Sequence, residues 1–166
     1  MAQARTPLER VRLVVLDVDG VMTDGRLYFD TQGEALKVFH VRDGLGLKQL
    51  MRAGIDVAVI SGRDSEAVRA RCRELGIQSL EQGCEDKVAA FDRLLAQRRL
   101  SREQALCIVD DTSDLALMRA AGVAVAVADA HDEVRAAADR VTTLNGGCGA
   151  VREVCDWLLA AHAGTR

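Results

Sequence analysis

The chain has 166 residues, enough for one domain with a hydrophobic core but too few for two domains of ordinary size. Hydrophobic residues make up 49% and charged residues 28%, the balance of an ordinary globular protein. With 22 Lys and Arg against 25 Asp and Glu, and 3% aromatic residues, the chain lacks the basic surface and the stacking platforms that nucleic-acid binding uses. We therefore expect no nucleic-acid partner.

Residues 1–10 form a leader without the apolar core of a secretion signal, and no apolar run approaches the roughly 18 residues that would span a bilayer. The five cysteines are an odd number and form no C-x-x-C pair, which is typical of free thiols in a reducing compartment. We expect a single domain over residues 1–166, cytoplasmic and without a membrane partner.

Short apolar runs alternate with helix-like patterns along the chain. The runs, at residues 12–16, 56–60, 105–109 and 123–127, are typical of strands buried on both faces of a parallel sheet. The predicted helices are residues 44–52, 65–75, 87–97, 115–121, 133–138 and 150–161. A glycine after three of them (Gly54, Gly76 and Gly122) predicts a left-handed helix end. The alternation predicts an α/β fold, a doubly wound parallel sheet.

Residues 25–39 interrupt this alternation. Two strand-like segments flank Thr31, Gln32 and Gly33, which predicts a β-hairpin. Because the hairpin follows the first strand directly, we expect it to lie over the carboxyl end of that strand as a flap.

Polar residues follow three of the predicted strands, at the edge where open α/β sheets bind ligands. They are Asp17, Asp19 and Gly20 after the first strand, Ser61, Gly62 and Arg63 after the second, and Asp110, Asp111 and Asp114 after the third, with Lys87 opening the helix before it. Each feature alone has an ordinary structural explanation as a cap, a turn or a solvated side chain. Their convergence on one edge predicts a functional site.

The chemistry that this set suits is phosphoryl transfer through an aspartyl-phosphate. A carboxylate that attacks a phosphate ester meets repulsion of about 4 kcal/mol per charge pair at 4 Å and an effective dielectric constant of 20. Mg²⁺ would offset it, with Asp17 and Asp110 as side-chain ligands. Asp17 is then the predicted nucleophile and Asp19 the general acid and base. Ser61 and Lys87 would hold the phosphate oxygens.

The same residues carry a family resemblance. Asp17-Val18-Asp19-Gly20 at a strand end, Ser61 in ISGR, Lys87, and Asp110-Asp111 with Asp114 resemble the four motifs of the haloacid dehalogenase superfamily of phosphatases. The resemblance implies that superfamily's Rossmann-like fold, Mg²⁺ and an aspartyl-phosphate. It also implies a metal site of Asp17, Asp19 and Asp110, with Asp111 and Asp114 in support.

A longer match, from about residue 11 to residue 159, is similar to sugar-acid phosphatases of this superfamily; VRDGLG and GAVRE are its most specific phrases. It implies an eight-carbon 3-deoxy sugar-acid phosphate of lipopolysaccharide synthesis as substrate. Arginine side chains would suit this substrate, since they bind carboxylate or phosphate groups bidentately. The implied substrate-binding residues are Asp19, His40, Val41, Arg42, Asp43, Gly44, Lys48, Arg63, Arg71 and Lys87.

The short separation of the motifs leaves no room for an inserted cap domain, since only the hairpin and one helix lie between Asp19 and Ser61. Capless relatives form tetramers in which the hairpin and the C-terminal segment meet a neighbouring subunit. The resemblance therefore implies a homotetramer with active sites at subunit interfaces, where another subunit helps to exclude water.

Four positions depart from the family pattern. Val109 stands where glycine is usual, Cys148 where a basic residue is usual, and His40 and Lys48 where asparagine and arginine are expected. Three alternatives stay open: a phosphatase for a related nine-carbon sugar acid, a phosphoacceptor domain of the receiver kind, and a scaffold that has lost turnover.

Overall fold

The structure of the protein is a computed structural model that describes residues 7–164. Only the backbone of Ala35 is described. Its strands are β1 (Leu13–Leu16), β2 (Tyr28–Asp30), β3 (Gly33–Leu36), β4 (Asp56–Ile60), β5 (Ser79–Glu81), β6 (Ala105–Val109), β7 (Val123–Ala126) and β8 (Arg140–Val141). Its α-helices are α1 (Val41–Arg52), α2 (Glu66–Leu75), α3 (Lys87–Arg98), α4 (Leu115–Ala120), α5 (Asp132–Ala137) and α6 (Ala150–Ala163).

The predicted parallel sheet is confirmed. Six strands pair in the order β5-β4-β1-β6-β7-β8, all of them parallel. All residues of β1, β6 and β7 are buried, as their continuous apolar runs predict. The central strand β1 lies between β4 and β6, with Leu13 in register with Asp56 on one side and Ala105 on the other. The carboxyl ends of these three strands therefore lie side by side.

Helices cover both faces of the sheet. The chain moves outward from β1 through β4 to β5 and then returns to β6, β7 and β8, so right-handed connections place the helices of the two halves on opposite faces. In agreement, α1 packs against α2 and α6, whereas α4 packs against α3 and α5. This is the doubly wound arrangement that the sequence predicts.

The predicted hairpin is also confirmed. Strands β2 and β3 form a separate antiparallel pair with Asp30 opposite Gly33, and the pairing is irregular between Tyr28 and Phe29. All three residues of β2 are exposed.

Some predicted details are wrong. The helix predicted at 44–52 begins three residues earlier, at Val41, because the first turn accommodates Gly44 and places Asp43 where a negative charge is favourable. Gly122 does not have a left-handed backbone; it is needed because a Cβ there would collide with the backbone of Glu103. The two-residue β8 was not predicted, since so short a strand carries no periodic pattern.

The predicted leader is only partly described. Residues 1–6 lie outside the described residues, and Leu8–Arg10 form a 3₁₀ turn that packs against α6. Between residues 7 and 164, no helix combines the length and the apolar character needed to cross a membrane.

Candidate active site

The carboxyl ends of β1, β4 and β6 open into a cleft of about 370 Å³. The sequence-predicted residues that line it are Asp17, Asp19, Ser61, Arg63, Lys87, Asp110 and Asp111, together with Gly25, Gly62, Cys84, Glu85 and Ser113. The sheet order therefore brings together the acids, the hydroxyl and the lysine that the sequence placed at one edge.

A tight turn after β1 presents the two aspartates. The carbonyl oxygen of Val18 accepts hydrogen bonds from the backbone N–H groups of Val21, Met22 and Thr23, at 2.9–3.2 Å. The buried hydroxyl of Thr23 in turn accepts from the N–H groups of Gly20 and Gly25 at 3.3 and 3.2 Å. Sequence reasoning missed this threonine, whose role depends on the closed shape of the turn.

Lys87 lies at the centre of the charge cluster. Its Nζ lies 2.9 Å from Asp17 Oδ1 and 2.6 Å from Asp114 Oδ1, and its side chain is 11% exposed. Burial lowers the pKa of Lys87, but the two carboxylates outweigh it and the net shift is upward. Lys87 is therefore a cation at neutral pH. It opens α3, whose N-cap Asp86 accepts a hydrogen bond from Ala89 N at 2.9 Å.

Three carboxyl groups, those of Asp17, Asp110 and Asp114, lie close together around the ammonium of Lys87. Burial, followed by the charges of Asp17 and Asp114, raises the pKa of Asp110 to about 7. Burial, followed by the charge of Asp17, raises the pKa of Asp114 to about 6. The pKa of Asp17 is also raised, chiefly by burial and against the effect of Lys87. The site thus disfavours its own negative charge.

These residues fit a divalent cation. Asp17, Asp110 and Asp114 each offer an oxygen within 4.8 Å of the others, and Asp114 Oδ2 is buried without a hydrogen-bond partner among the described residues. Gly20, with φ of 86°, leaves room for the Asp110 carboxylate, with which a Cβ at position 20 would collide. Oxygen ligands with surplus negative charge are the donor set that Mg²⁺ takes.

The other two predicted metal residues have side-chain partners elsewhere. Asp111 Oδ1 accepts a hydrogen bond from Thr112 N at 2.7 Å and so caps the short turn that carries Asp114. The side chain of Asp19 pairs with Lys37 instead. The carboxylate cluster therefore includes Asp114 in place of Asp19.

Ser61 directly follows β4 and lines the cleft. Its side chain is buried, and its Oγ accepts from Arg63 N at 3.3 Å. Its backbone is held on both sides, because Ser61 N donates to Glu81 O at 2.9 Å and Ser61 O accepts from Cys84 N at 3.0 Å. The hydroxyl therefore has a fixed position at the strand end.

The hairpin supplies a lysine that sequence reasoning missed. Lys37 Nζ lies 2.6 Å from Asp19 Oδ1 and 2.9 Å from Glu34 Oε2, with its side chain 2% exposed. Arg63 Nε lies 3.7 Å from the other oxygen of Asp19. The only hint in the sequence was the expectation that the hairpin covers the end of β1.

The predicted substrate-binding residues of α1 form a second group outside the lining of the cleft. Arg71 Nη2 donates to His40 O at 3.4 Å, and a Cβ on Gly44 would collide with the Arg71 guanidinium. Asp43 is buried, and its Oδ1 accepts from Arg152 N at 2.8 Å. Val41 and Arg42 are exposed on the first turn of the helix, and Lys48 is half-buried further along it.

This second group contains three buried polar atoms. Among the described residues, His40 Nδ1, Asp43 Oδ2 and Arg71 Nε are buried without a hydrogen bond. Burial raises the pKa of Asp43, against the favourable charges of His40 and Arg71. Buried polar atoms usually find partners, so this group has unused hydrogen-bonding capacity.

The departures from the family pattern leave the carboxylate cluster intact. Val109 is a buried residue of β6 in register with Ala126, and its φ is not positive, so a glycine is not required there. Cys148 is exposed, and its backbone N donates to Asn145 O at 3.1 Å.

The fold and the site define a haloacid dehalogenase-like hydrolase, and that family matches residues 80–154. The curated 3-deoxy-D-manno-octulosonate 8-phosphate phosphatase KdsC of Salmonella typhi is 47% identical over 157 residues, 95% of this chain and 84% of the relative. The chain belongs to the 3-deoxy-D-manno-octulosonate 8-phosphate phosphatase family. This membership excludes the receiver-domain alternative.

Solved structures of phosphatases with this activity have the same fold as this chain. The cobalt-bound deoxy-D-mannose-octulosonate 8-phosphate phosphatase of Haemophilus influenzae superposes with a TM-score of 0.93 at 48% identity, covering 95% of this chain and 92% of its own. The 3-deoxy-D-manno-octulosonate 8-phosphate phosphatase of Moraxella catarrhalis, in complex with magnesium, phosphate and a KDO molecule, has a TM-score of 0.92 at 39% identity, covering 95% and 91%.

Proposed function

We propose that this chain is a Mg²⁺-dependent phosphatase that removes phosphate from 3-deoxy-D-manno-octulosonate 8-phosphate, in the synthesis of the lipopolysaccharide sugar. The observation that carries the proposal is the meeting of Asp17, Asp19 and Lys87 with the carboxylates of Asp110 and Asp114 at one end of the sheet. The choice of substrate is supported by the relatives from Salmonella typhi and Moraxella catarrhalis, which are named 3-deoxy-D-manno-octulosonate 8-phosphate phosphatases.

In the first step Asp17 attacks the phosphorus. A bond forms between an Asp17 carboxylate oxygen and phosphorus, and the bond from phosphorus to the sugar oxygen breaks. Asp19 donates its proton to the departing oxygen, so the sugar acid leaves with a neutral hydroxyl group at that position rather than an alkoxide. Lys87, 2.9 Å from Asp17, orients the nucleophile, and Ser61, in the lining of the cleft, would hold the phosphate oxygens.

In the second step Asp19, now a carboxylate, takes a proton from water. The water oxygen bonds to phosphorus, the bond to Asp17 breaks, and inorganic phosphate leaves. Asp19 is returned to its protonated form and Asp17 to its carboxylate, so the cycle closes.

Asp17, Asp110 and Asp114 are the residues that would hold the cation. When bound, Mg²⁺ supplies positive charge that offsets the repulsion between the Asp17 carboxylate and the phosphate. The raised pKa values of Asp110 and Asp114 support this assignment, because a cation favours the charged form of both carboxylates.

Arg63 would meet an anionic group of the substrate from the wall of the cleft, because its guanidinium is half-exposed beside Asp19. The unpartnered atoms of His40, Asp43 and Arg71 support a second contact region at the start of α1.

We also propose that the chain works as a homotetramer. The hairpin and the start of α1 expose a group of large apolar side chains that a neighbouring copy would cover: Leu27, Tyr28, Phe29, Leu36, Val38, Val41 and Leu45. The five cysteines, all free thiols, support a reducing compartment such as the cytoplasm.

The test is phosphate release by the purified protein with Mg²⁺, on the eight-carbon substrate and on 2-keto-3-deoxynononate 9-phosphate. The proposal predicts a higher kcat/KM for the eight-carbon ester. Preference for the nine-carbon ester would overturn the substrate assignment, and the absence of release from both would favour a scaffold without turnover.

A further inference from the structure

The hairpin carries a buried lysine that the steps described above do not use. Lys37 follows β3 directly, and its side chain is 2% exposed although it bears a positive charge. Lysines are rarely so buried unless they are paired. Two carboxylates raise its pKa above the ordinary value although burial opposes them, so Lys37 is charged at neutral pH.

The two partners of Lys37 belong to different parts of the chain. Asp19 Oδ1, at 2.6 Å, lies in the turn after β1, whereas Glu34 Oε2, at 2.9 Å, lies on the hairpin itself. A lysine ammonium that donates to carboxyl oxygens at these distances makes short, strong hydrogen bonds. The ammonium therefore joins the hairpin to the residue that handles the proton.

A chain of hydrogen bonds anchors this lysine to the body of the domain. Glu34 Oε1 accepts a hydrogen bond from Ser65 Oγ at 2.5 Å, and Ser65 is the N-cap residue of α2. Ser65 N in turn donates to Gln82 Oε1 at 3.1 Å, and Gln82 Nε2 donates to Ser65 O at 3.3 Å. Ser65 is buried, so the anchor is shielded from solvent.

The contact leaves Asp19 with one oxygen for chemistry. Oδ1 is held by Lys37, whereas Oδ2 lies 3.7 Å from Arg63 Nε at the wall of the cleft. The backbone turn fixes the Cα of Asp19 but leaves the side-chain bonds free to rotate, so the carboxyl group needs a partner of its own to keep one orientation. A general acid must lie within hydrogen-bond reach of the oxygen that it protonates.

We propose that Lys37, held in place by Glu34 and Ser65, is a positioning residue that fixes the Asp19 carboxylate with Oδ2 toward the substrate. The inference rests on the proposed function, in which Asp19 gives and takes the proton. It adds that the hairpin controls the orientation of the general acid through Lys37.

The test compares Lys37→Met with Lys37→Arg, which keeps the charge. Arg26→Met is the matched control, because Arg26 is a cationic residue just before the hairpin strands that is 78% exposed and pairs only with Asp24 among the described residues. For the sugar-acid phosphate, we expect Lys37→Met to lower kcat about 10- to 100-fold with KM within about 3-fold of wild type. Lys37→Arg should recover most of the loss, and Arg26→Met should show none.

A second substrate separates positioning of Asp19 from general damage. The leaving group of p-nitrophenyl phosphate departs without a proton, so the burst of nitrophenolate from Lys37→Met should match wild type within about 3-fold, while turnover after the burst slows. Equal losses in burst and turnover, or a kcat within about 3-fold of wild type on the sugar-acid phosphate, would overturn the role of Lys37.

Two further measurements keep the result decisive. If Lys37→Met does not fold, as judged by circular dichroism, Glu34→Gln replaces it; this variant removes the anchoring charge and should lower kcat about 3- to 10-fold by the same pattern. An unchanged kcat in Glu34→Gln would contradict the anchor. A wild-type protein that releases no phosphate from either ester would overturn the proposed function itself. If instead the wild type and Lys37→Met are equally active, the proposed function stands and only the role of Lys37 is overturned.

Discussion

Asp110 and Asp114 are the residues whose ionisation the fold disfavours most clearly in the absence of a cation. Their pKa values rise from 3.8 to about 7 and about 6, first through burial and then through the charge of Asp17. Between about pH 4 and pH 7 these two groups therefore bind more protons in the folded protein than in the unfolded chain. The contribution of these two carboxyl groups to the free energy of unfolding of the metal-free protein therefore falls as pH rises through this window.

The direction of this pH dependence predicts how pH and Mg²⁺ together change the thermal stability of the protein. In buffer with a chelator, the unfolding midpoint should decrease from pH 5 to pH 8, and added Mg²⁺ should raise it more at pH 8 than at pH 5, because the ionised carboxylates bind the cation. Differential scanning calorimetry measures both. Asp110→Asn is the control and should flatten the pH dependence. A midpoint that rises with pH in the chelated protein would contradict the account.

At the residue scale, the sequence predicts the side chains that follow buried strands. Asp17, Ser61 and Asp110 could be placed together because parallel neighbouring strands end at one edge. Lys37 and Thr23 could not, because their contacts depend on how the hairpin folds over the sheet and how the turn closes. No periodicity encodes either arrangement.

At the element scale, α1 and α6 are joined by one buried carboxylate. Asp43 lies in the first turn of α1, and its Oδ1 accepts from Arg152 N in the first turn of α6 at 2.8 Å. The first N–H groups of a helix have no partner within the helix. Asp43 therefore stabilises the start of α6 as well as its contact with α1.

We predict that Asp43→Ala lowers the free energy of unfolding by about 1–3 kcal/mol, since it leaves the part-buried N–H group of Arg152 unpaired. Asp43→Asn keeps an oxygen that can accept from Arg152 and should cost less than about 1 kcal/mol. Urea unfolding followed by circular dichroism measures the two. Equal losses would mean that the hydrogen bond does not stabilise the helix pair.

The elements themselves were predictable to different degrees. The apolar runs of β1 and β6 are continuous because both faces of these strands are covered by helices, and the sequence shows this directly. The start of α1 was missed by three residues because Gly44 weakens the helical pattern. Strand β8 depends on pairing with β7, which its own two residues do not reveal.

At the scale of the whole molecule, the hairpin and the start of α1 carry the exposed apolar group described above. Val38 and Val41 are 56% and 78% exposed. Several large apolar side chains exposed side by side are typical of a surface that another protein covers. For a homotetramer, this surface is the expected contact between subunits.

Val38→Asp should therefore weaken self-association, because it places a charge where an apolar contact is expected. Sedimentation velocity should show the wild type near four times the 17.9 kDa mass of one chain and the variant shifted toward smaller species. Val141→Asp is the matched control: this valine is 40% exposed on β8, the edge strand of the six-stranded sheet, to which the hairpin strands do not belong. A wild type that sediments as a monomer would contradict the proposed assembly.

The central claim is that Asp17 is the nucleophile of a Mg²⁺-dependent phosphatase. The most direct measurement is phosphate release from 3-deoxy-D-manno-octulosonate 8-phosphate by wild type and Asp17→Asn, each with Mg²⁺ and with a chelator. We expect the wild type to release phosphate in the presence of Mg²⁺ but not with the chelator, and Asp17→Asn to lose about 10⁴-fold or more of the Mg²⁺-dependent rate. Activity in Asp17→Asn within tenfold of wild type would contradict it.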